Sequence, residues 1–189
     1  MCNGANLAYT KKAFEEVGGF SGIDNIASGD DMLLMHKIYK RWPDKVLFLR
    51  SKEAIVQTAP VNSIKDFFNQ RIRWASKADK YDDKRIFAVL LLVYIVNLLL
   101  LVLPVIALFN NIQYTIFNFQ FSLIAVWLLF LLAKTITELI FLFPVAKFFD
   151  RQRMLLYFPL MQPYHIIYTI IAGWLGKFGS YRWKERTVK

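Results

Sequence analysis

Three side chains at helical spacing, Gln70, Arg73 and Trp74, are the first candidates for chemistry. They belong to the stretch Gln70-Arg71-Ile72-Arg73-Trp74, and positions i, i+3 and i+4 share one face of a helix. An amide and a planar guanidinium can hold phosphate oxygens or sugar hydroxyls, and an indole can stack on a sugar. The same residues would also suit an interfacial helix, with its arginine and tryptophan among lipid headgroups. Spacing alone leaves both interpretations open.

A pair of neighbouring carboxylates, Asp30 and Asp31, forms the second candidate group. The pair follows Gly29, at the predicted start of a helix over residues 31–41. Acidic residues in the first turn of a helix are favoured by the helix dipole. On these residues alone, helix capping is therefore the simpler explanation of the pair.

Short helices and strands are predicted around the two candidate groups. Thr10 is predicted to cap a helix over residues 11–17, and residues 46–49 and 54–58 are predicted to be strands, because they are rich in apolar and β-branched side chains. Ser63 is predicted to cap the helix that carries Arg73, with Asp66 at the third helical position. An apolar stripe on that helix would suit a position on the membrane surface.

The second half of the chain has the composition of a membrane region. Hydrophobic residues make up 56% of the 189 residues, above the globular norm of about 45–50%. Residues 86–109 carry no charge, and a helix of that length, about 36 Å, would cross the hydrocarbon core. The uncharged residues 110–120 then predict a non-cytoplasmic loop, and residues 121–146 a second span.

The second predicted span contains two charges, Lys134 and Glu138, at spacing i, i+4. Charges within a membrane are costly and normally face protein or water. A structural pair between packed helices is the simpler interpretation, and a transport role is the alternative. The last apolar segment, residues 154–175, is interrupted by Pro159, Gln162 and Pro163. It would either span the membrane or re-enter it from the cytoplasm, and its sequence does not decide which.

The charge pattern and the cysteine content argue against a nucleic-acid-binding protein and against one held by internal disulfides. The net charge is +10, but the basic residues flank the apolar segments, as the cytoplasmic loops of membrane proteins do, so nucleic acid is not expected as a partner. Cys2 is the single cysteine, which excludes an internal disulfide. Neither His36 nor His165 has a partner at metal-ligand spacing in the sequence.

Four pieces in order resemble the second half of a membrane-bound family 2 glycosyltransferase, the group that includes cellulose, chitin and hyaluronan synthases. The pieces are CNGAN at residues 2–6, FEEVGGF at 14–20, GDD at 29–31 and QRIRW at 70–74, followed by membrane spans. The resemblance covers residues 1–85 in detail and the rest only in architecture.

The resemblance implies a fold and a reaction. It implies an α/β fold, part of a GT-A-type nucleotide-sugar domain, followed by an α-helical transmembrane region. It implies inverting transfer of a sugar from a nucleotide-diphosphate sugar to an acceptor hydroxyl, in polysaccharide or glycolipid synthesis. By position, Asp31 resembles the general base, a role in which a carboxylate removes the proton of the acceptor hydroxyl. Asp30 would support it.

The remaining site residues are implied by the same resemblance. Gln70, Arg73 and Trp74 resemble the motif that binds the diphosphate and the acceptor sugar, and the turn with Asn3, Gly4 and Asn6 resembles the one beside the acceptor. The expected partners are a nucleotide sugar donor, a saccharide or lipid-linked acceptor, and the lipid bilayer. The expected location is the cell inner (plasma) membrane, multi-pass, with the catalytic part cytoplasmic.

One departure from the family pattern concerns the donor and the metal ion. The family's nucleotide-binding first half, with its DxD metal site, has no counterpart in these 189 residues. The chain is therefore expected to be a C-terminal fragment, with Mg²⁺ or Mn²⁺ bound in the full-length enzyme by the missing N-terminal part. The alternative is a small non-enzymatic membrane protein, such as a transporter subunit or scaffold, in which Asp31 merely caps a helix.

Four regions follow from these arguments. Residues 1–62 are expected to form the C-terminal part of the catalytic domain, and residues 63–85 an interfacial helix with the QRIRW motif. Residues 86–176 would form the membrane region, and residues 177–189 a basic cytoplasmic tail.

Overall fold

The computed structural model describes residues 4–24, 26, 28–78, 83–109, 113–116, 119–183 and 186–188. Six α-helices lie in these residues: α1 (Lys11–Glu16), α2 (Asp30–Arg41), α3 (Ile64–Ala75), α4 (Lys84–Phe109), α5 (Leu123–Phe148) and α6 (Gln162–Phe178). Short 3₁₀ helices cover Gly4–Asn6, Pro43–Lys45, Gln152–Tyr157 and Pro159–Met161.

Two antiparallel hairpins are the β-structure of the described residues. Strands β1 (Gln113–Ile116) and β2 (Phe119–Ser122) pair in a register that sets Gln113 opposite Ser122. Strands β3 (Tyr181–Trp183) and β4 (Arg186–Val188) pair with Tyr181 opposite Val188. The first hairpin lies where an uncharged loop was predicted; residues 110–112 and 117–118 of that loop lie outside the described residues.

The predicted helix starts are confirmed by their caps. Thr10 Oγ1 accepts a hydrogen bond from Ala13 N at 3.1 Å. Ser63 Oγ accepts one from Asp66 N at 3.0 Å and donates to Asp66 Oδ2 at 2.6 Å. A cap of this kind stabilises a helix by about 1 kcal/mol, and here it fixes where α3, the helix of the QRIRW motif, begins.

The two predicted strands at 46–49 and 54–58 are wrong, and the α/β part of the predicted fold is not seen. Both segments have no regular structure, and Leu47 and Phe48 are 87% and 83% exposed. Two isolated short strands are not stable in water without a third strand or a helix to cover them, and the described residues provide neither here. The described fold is mostly helical.

The chain divides into two compact units. The first comprises Met1–Phe87 and Leu175–Lys189, and the second Ala88–Trp174. In the first unit, Met32 and Leu33 of α2 form a buried core with side chains packed against it from residues Ile23, Ile26, Met35 and Ile86. This core sets the position of α2 and of the carboxylates at its start. The residues predicted as a basic tail thus belong to the same unit as the QRIRW motif.

A hydrogen bond and a close packing contact connect the helices of the second unit. Trp127 Nε1 of α5 donates to Leu100 O of α4 at 2.9 Å, and Gly173 of α6 has no room for a Cβ, which would lie 2.6 Å from the Tyr94 ring of α4. Among the described residues, α4 and α5 are the two helices long and apolar enough to cross a bilayer. The segment 154–175 instead begins with 3₁₀ turns and continues as the 17-residue α6.

Candidate active site

Asp31 lies in the first turn of α2, as predicted. Its Oδ2 accepts a hydrogen bond from Gly4 N at 2.7 Å, and its Oδ1 accepts one from Met32 N at 2.8 Å. These bonds fix the orientation of the carboxylate. The side chain is half-buried, so a hydroxyl group can approach it from solvent.

The other residues predicted beside Asp31 have separate positions. Asp30 is exposed in the same first turn. Asn6 Nδ2 donates to Ala54 O at 2.7 Å, which ties the N-terminal turn to the loop at Ala54. Asn3 lies outside the described residues. Among the described residues of the predicted acceptor-side turn, Gly4 is the one with a hydrogen bond to the Asp31 carboxylate.

Arg73 of α3 reaches the same part of the molecule. Its Nη1 donates to the buried Ser28 Oγ at 3.2 Å, and its guanidinium carbon lies 3.9 Å from the ring centroid of Trp183. Burial lowers the pKa of Arg73, while the charges of Tyr181 and Asp31 act to raise it. Because arginine stays protonated over the physiological pH range, the side chain keeps its positive charge and can bind an anion.

Gln70 and Trp74 lie on α3 with Arg73, but Trp74 contacts a different side chain. The ring of Trp74 is covered by the guanidinium of Arg71, with 4.7 Å between the Arg71 Cζ and the ring centroid. The same guanidinium lies 4.9 Å from the Phe67 ring. Gln70 is half-buried on the same helix. Among the described contacts, Arg73 contacts Ser28 and Trp183, and Trp74 contacts Arg71.

Lys77 is a candidate residue that the sequence argument missed. Its side chain is buried, at 8% exposure, and it lies against Gly29, immediately before the carboxylate pair. Burial is the main cause that lowers the pKa of Lys77, the charge of Arg73 lowers it further, and Asp31 and Asp30 oppose both effects. Since Lys77 follows Arg73 by four residues, helical spacing is a signal that could have found it.

The C-terminal hairpin is the second feature that was missed. Asn69 of α3 donates from Nδ2 to Arg182 O at 2.8 Å and accepts from Arg182 N at 2.8 Å. The side-chain amide therefore pairs with β3 as a neighbouring strand would. This pairing brings Trp183 onto Arg73, and a cation–π contact of this kind contributes about 0.5–2 kcal/mol.

An open groove of about 670 Å³ runs between α3 and this hairpin. Aromatic, amide and charged side chains line it, among them Asp66, Phe68, Asn69, Tyr181, Arg182 and Trp183. Aromatic faces with nearby hydrogen-bonding groups are suited to sugar rings.

The described residues contain no cluster of three or more His, Cys, Asp or Glu side chains that could hold a metal ion. Asp30 and Asp31 alone do not make such a site, so the residues at hand do not fit the expected Mg²⁺ or Mn²⁺.

Comparison with known proteins places these residues in a family. No curated protein and no solved structure matches the chain. The model of the glycosyl transferase family group 2, in contrast, matches residues 1–175 of the 189, a range that includes α2, α3 and both candidate spans. The chain belongs to glycosyl transferase family group 2.

Proposed function

We propose that this chain takes part in inverting transfer of a sugar from a nucleotide-diphosphate sugar to an acceptor hydroxyl, with Asp31 as general base. One observation carries the proposal: Gly4 N orients the Asp31 carboxylate at 2.7 Å, and Arg73 contacts the segment just before Asp31 through Ser28 Oγ at 3.2 Å. A base for the acceptor hydroxyl and a cation for the leaving diphosphate are two groups that promote this reaction. Family membership favours this function over a non-enzymatic membrane protein.

In the proposed reaction, Asp31 removes the proton of the acceptor hydroxyl as its oxygen forms a bond to the anomeric carbon. The bond from that carbon to the diphosphate breaks on the opposite face, so the configuration of the sugar inverts. The electron pair of the broken bond stays on the diphosphate, whose negative charge Arg73 stabilises by hydrogen bonding. The proton on Asp31 then passes to solvent, which the half-buried side chain still reaches.

The proposed substrates and membrane location are taken from the glycosyltransferase family. The donor is a nucleotide sugar, and the acceptor is a saccharide or lipid-linked saccharide in polysaccharide or glycolipid synthesis. A GT-A-type nucleotide-binding part and a divalent metal would complete the enzyme. The apolar helices α4 and α5 would anchor it in the inner membrane as a multi-pass protein, with the catalytic part cytoplasmic.

The test is Asp31→Asn in the complete enzyme. Asparagine caps helices about as well as aspartate, so stability and membrane insertion should be kept. An amide cannot take the proton, and general base catalysis is typically worth 10²–10⁴-fold, so turnover should fall by about that factor while donor binding persists. Sugar transfer and donor affinity are measured side by side in membranes that carry each protein.

Asp30→Asn is the matched control, because Asp30 is exposed and occupies the same helical turn. Its effect should be much smaller than that of Asp31→Asn. Near-normal transfer by the Asp31→Asn enzyme would reduce Asp31 to a helix-capping residue and overturn the assignment.

A further inference from the structure

Lys77 is an ammonium group buried where the mechanism above gives it no role. Lysine is almost never fully buried unless it is paired, because a charge removed from water loses its hydration. Yet the Lys77 side chain is 8% exposed, and it follows the C-terminal end of α3 rather than lying on a surface helix face. A lysine whose burial costs this much hydration is a candidate for a functional role.

The charges that face Lys77 come from two helices. From α2, Asp31 and Asp30 attract its ammonium, and from α3 the guanidinium of Arg73 repels it. Tyr181 of the C-terminal hairpin acts on Arg73 in turn. The carboxylates thus oppose the repulsion between the two neighbouring cations.

The backbone at Gly29 is shaped to admit the Lys77 side chain. Gly29 is the N-cap of α2 and has φ +95°, a conformation that glycine adopts at little cost. A Cβ at this position would lie 2.8 Å from Lys77 Cδ and 2.9 Å from its Nζ. The lysine therefore packs directly on the turn that presents Asp31.

We infer that Lys77 is a positioning residue: its ammonium holds the Gly29–Asp31 turn and thereby keeps the Asp31 carboxylate in place for proton transfer. This inference rests on the proposed function of Asp31. A different role, contact with the diphosphate of the donor, would also use a cation beside Arg73. Loss of the Lys77 charge should lower kcat in the first role and weaken donor binding in the second.

The first experiment compares Lys77→Met with wild type in the complete enzyme. Methionine keeps much of the side-chain length without the charge. A misplaced reacting group can cost on the order of 10²-fold, so kcat should fall by about that factor while the KM for the donor and inhibition by the free nucleoside diphosphate are unchanged. Lys45→Met, at an exposed lysine of the same unit, is the control and should leave kcat unchanged.

A double-mutant cycle with Asp31→Asn then tests whether Lys77 acts through Asp31. If it does, Lys77→Met should reduce the residual rate of the Asp31→Asn enzyme far less than it reduces the wild-type rate. Equal reductions in both backgrounds would overturn the inference. So would an increase in donor KM with weaker nucleoside diphosphate inhibition, which would assign Lys77 to the diphosphate.

The pH dependence of Lys77→Arg provides a readout that a purely structural role would not move. In the wild type, the ammonium is present below its pKa and is lost as pH rises through it, and burial sets that pKa below the usual 10.5. Arginine keeps its charge to higher pH, so the alkaline decline in kcat should move to higher pH in this variant. An unmoved decline contradicts the inference, even if Lys77→Met does not fold. Full activity of Asp31→Asn would instead refute the proposed function itself.

Discussion

At the scale of single residues, the two arginines of the QRIRW motif, Arg71 and Arg73, contact different groups. Arg73 donates to Ser28, stacks on Trp183 and is influenced by the charge of Asp31. Arg71 lies between the rings of Phe67 and Trp74 on its own helix. The contacts of Arg73 with Ser28 and Trp183 connect α3 to other segments of the chain, next to the turn that carries Asp31.

Arg73→Lys should therefore remove most of the proposed transfer activity. Lysine keeps the charge but loses the planar group that both donates and stacks, and the loss of one anion-stabilising donor costs on the order of 10²–10³-fold in kcat. The measurement is kcat for sugar transfer in membranes. Arg71→Lys is the matched control and should retain most activity, because an ammonium can still lie over the two rings. Equal losses at the two positions would contradict the assignment.

At the scale of elements, a polar cluster joins α5 to the start of α6. Lys134 Nζ lies 2.8 Å from Glu138 Oε1, donates to Gln162 Oε1 at 2.7 Å and lies 3.3 Å from His165 Nδ1. Gln162 Nε2 also donates to Glu138 Oε2 at 2.7 Å. With Gln162 buried, these bonds compensate the charges within an otherwise apolar region, as the structural interpretation of the pair requires.

Lys134→Met should destabilise this unit, because it leaves the Glu138 carboxylate without its cation. Removal of one partner of a buried ion pair typically costs about 3–5 kcal/mol, whereas replacement of both is often neutral. Thermal unfolding in detergent should therefore show a large loss for Lys134→Met and a recovery in Lys134→Met with Glu138→Gln. Thr137→Val, on an exposed position of α5, is the control. If the double variant is no more stable than Lys134→Met alone, the Lys134–Glu138 pair does not stabilise the packing of α5 against α6.

At the scale of the whole molecule, local signals predicted the helix starts but neither the strands nor the contacts between residues distant in sequence. Helix starts at Thr10 and Ser63 follow from neighbouring residues, so the sequence was sufficient for them. The contact between Asn69 and Arg182 joins residues 113 positions apart, and no local pattern indicates it. The hairpin over Arg73 was missed for that reason, and the predicted strands at 46–49 and 54–58 failed because a strand depends on distant partners.

The orientation of α4 across the membrane is the last prediction. Helix α4 begins at Lys84 and Arg85 and ends before an uncharged segment, and basic residues favour the cytoplasmic side. Its 26 residues would extend about 39 Å, enough to cross the hydrocarbon core with some tilt. In a Cys2→Ser background, a membrane-impermeant thiol reagent applied to intact cells should label Gln113→Cys and not Lys45→Cys, both at exposed positions. Permeabilised cells, in which both should react, are the control. The reverse pattern in intact cells would place the Asp31 side of the protein outside, where the nucleotide sugar donor proposed for it is not expected.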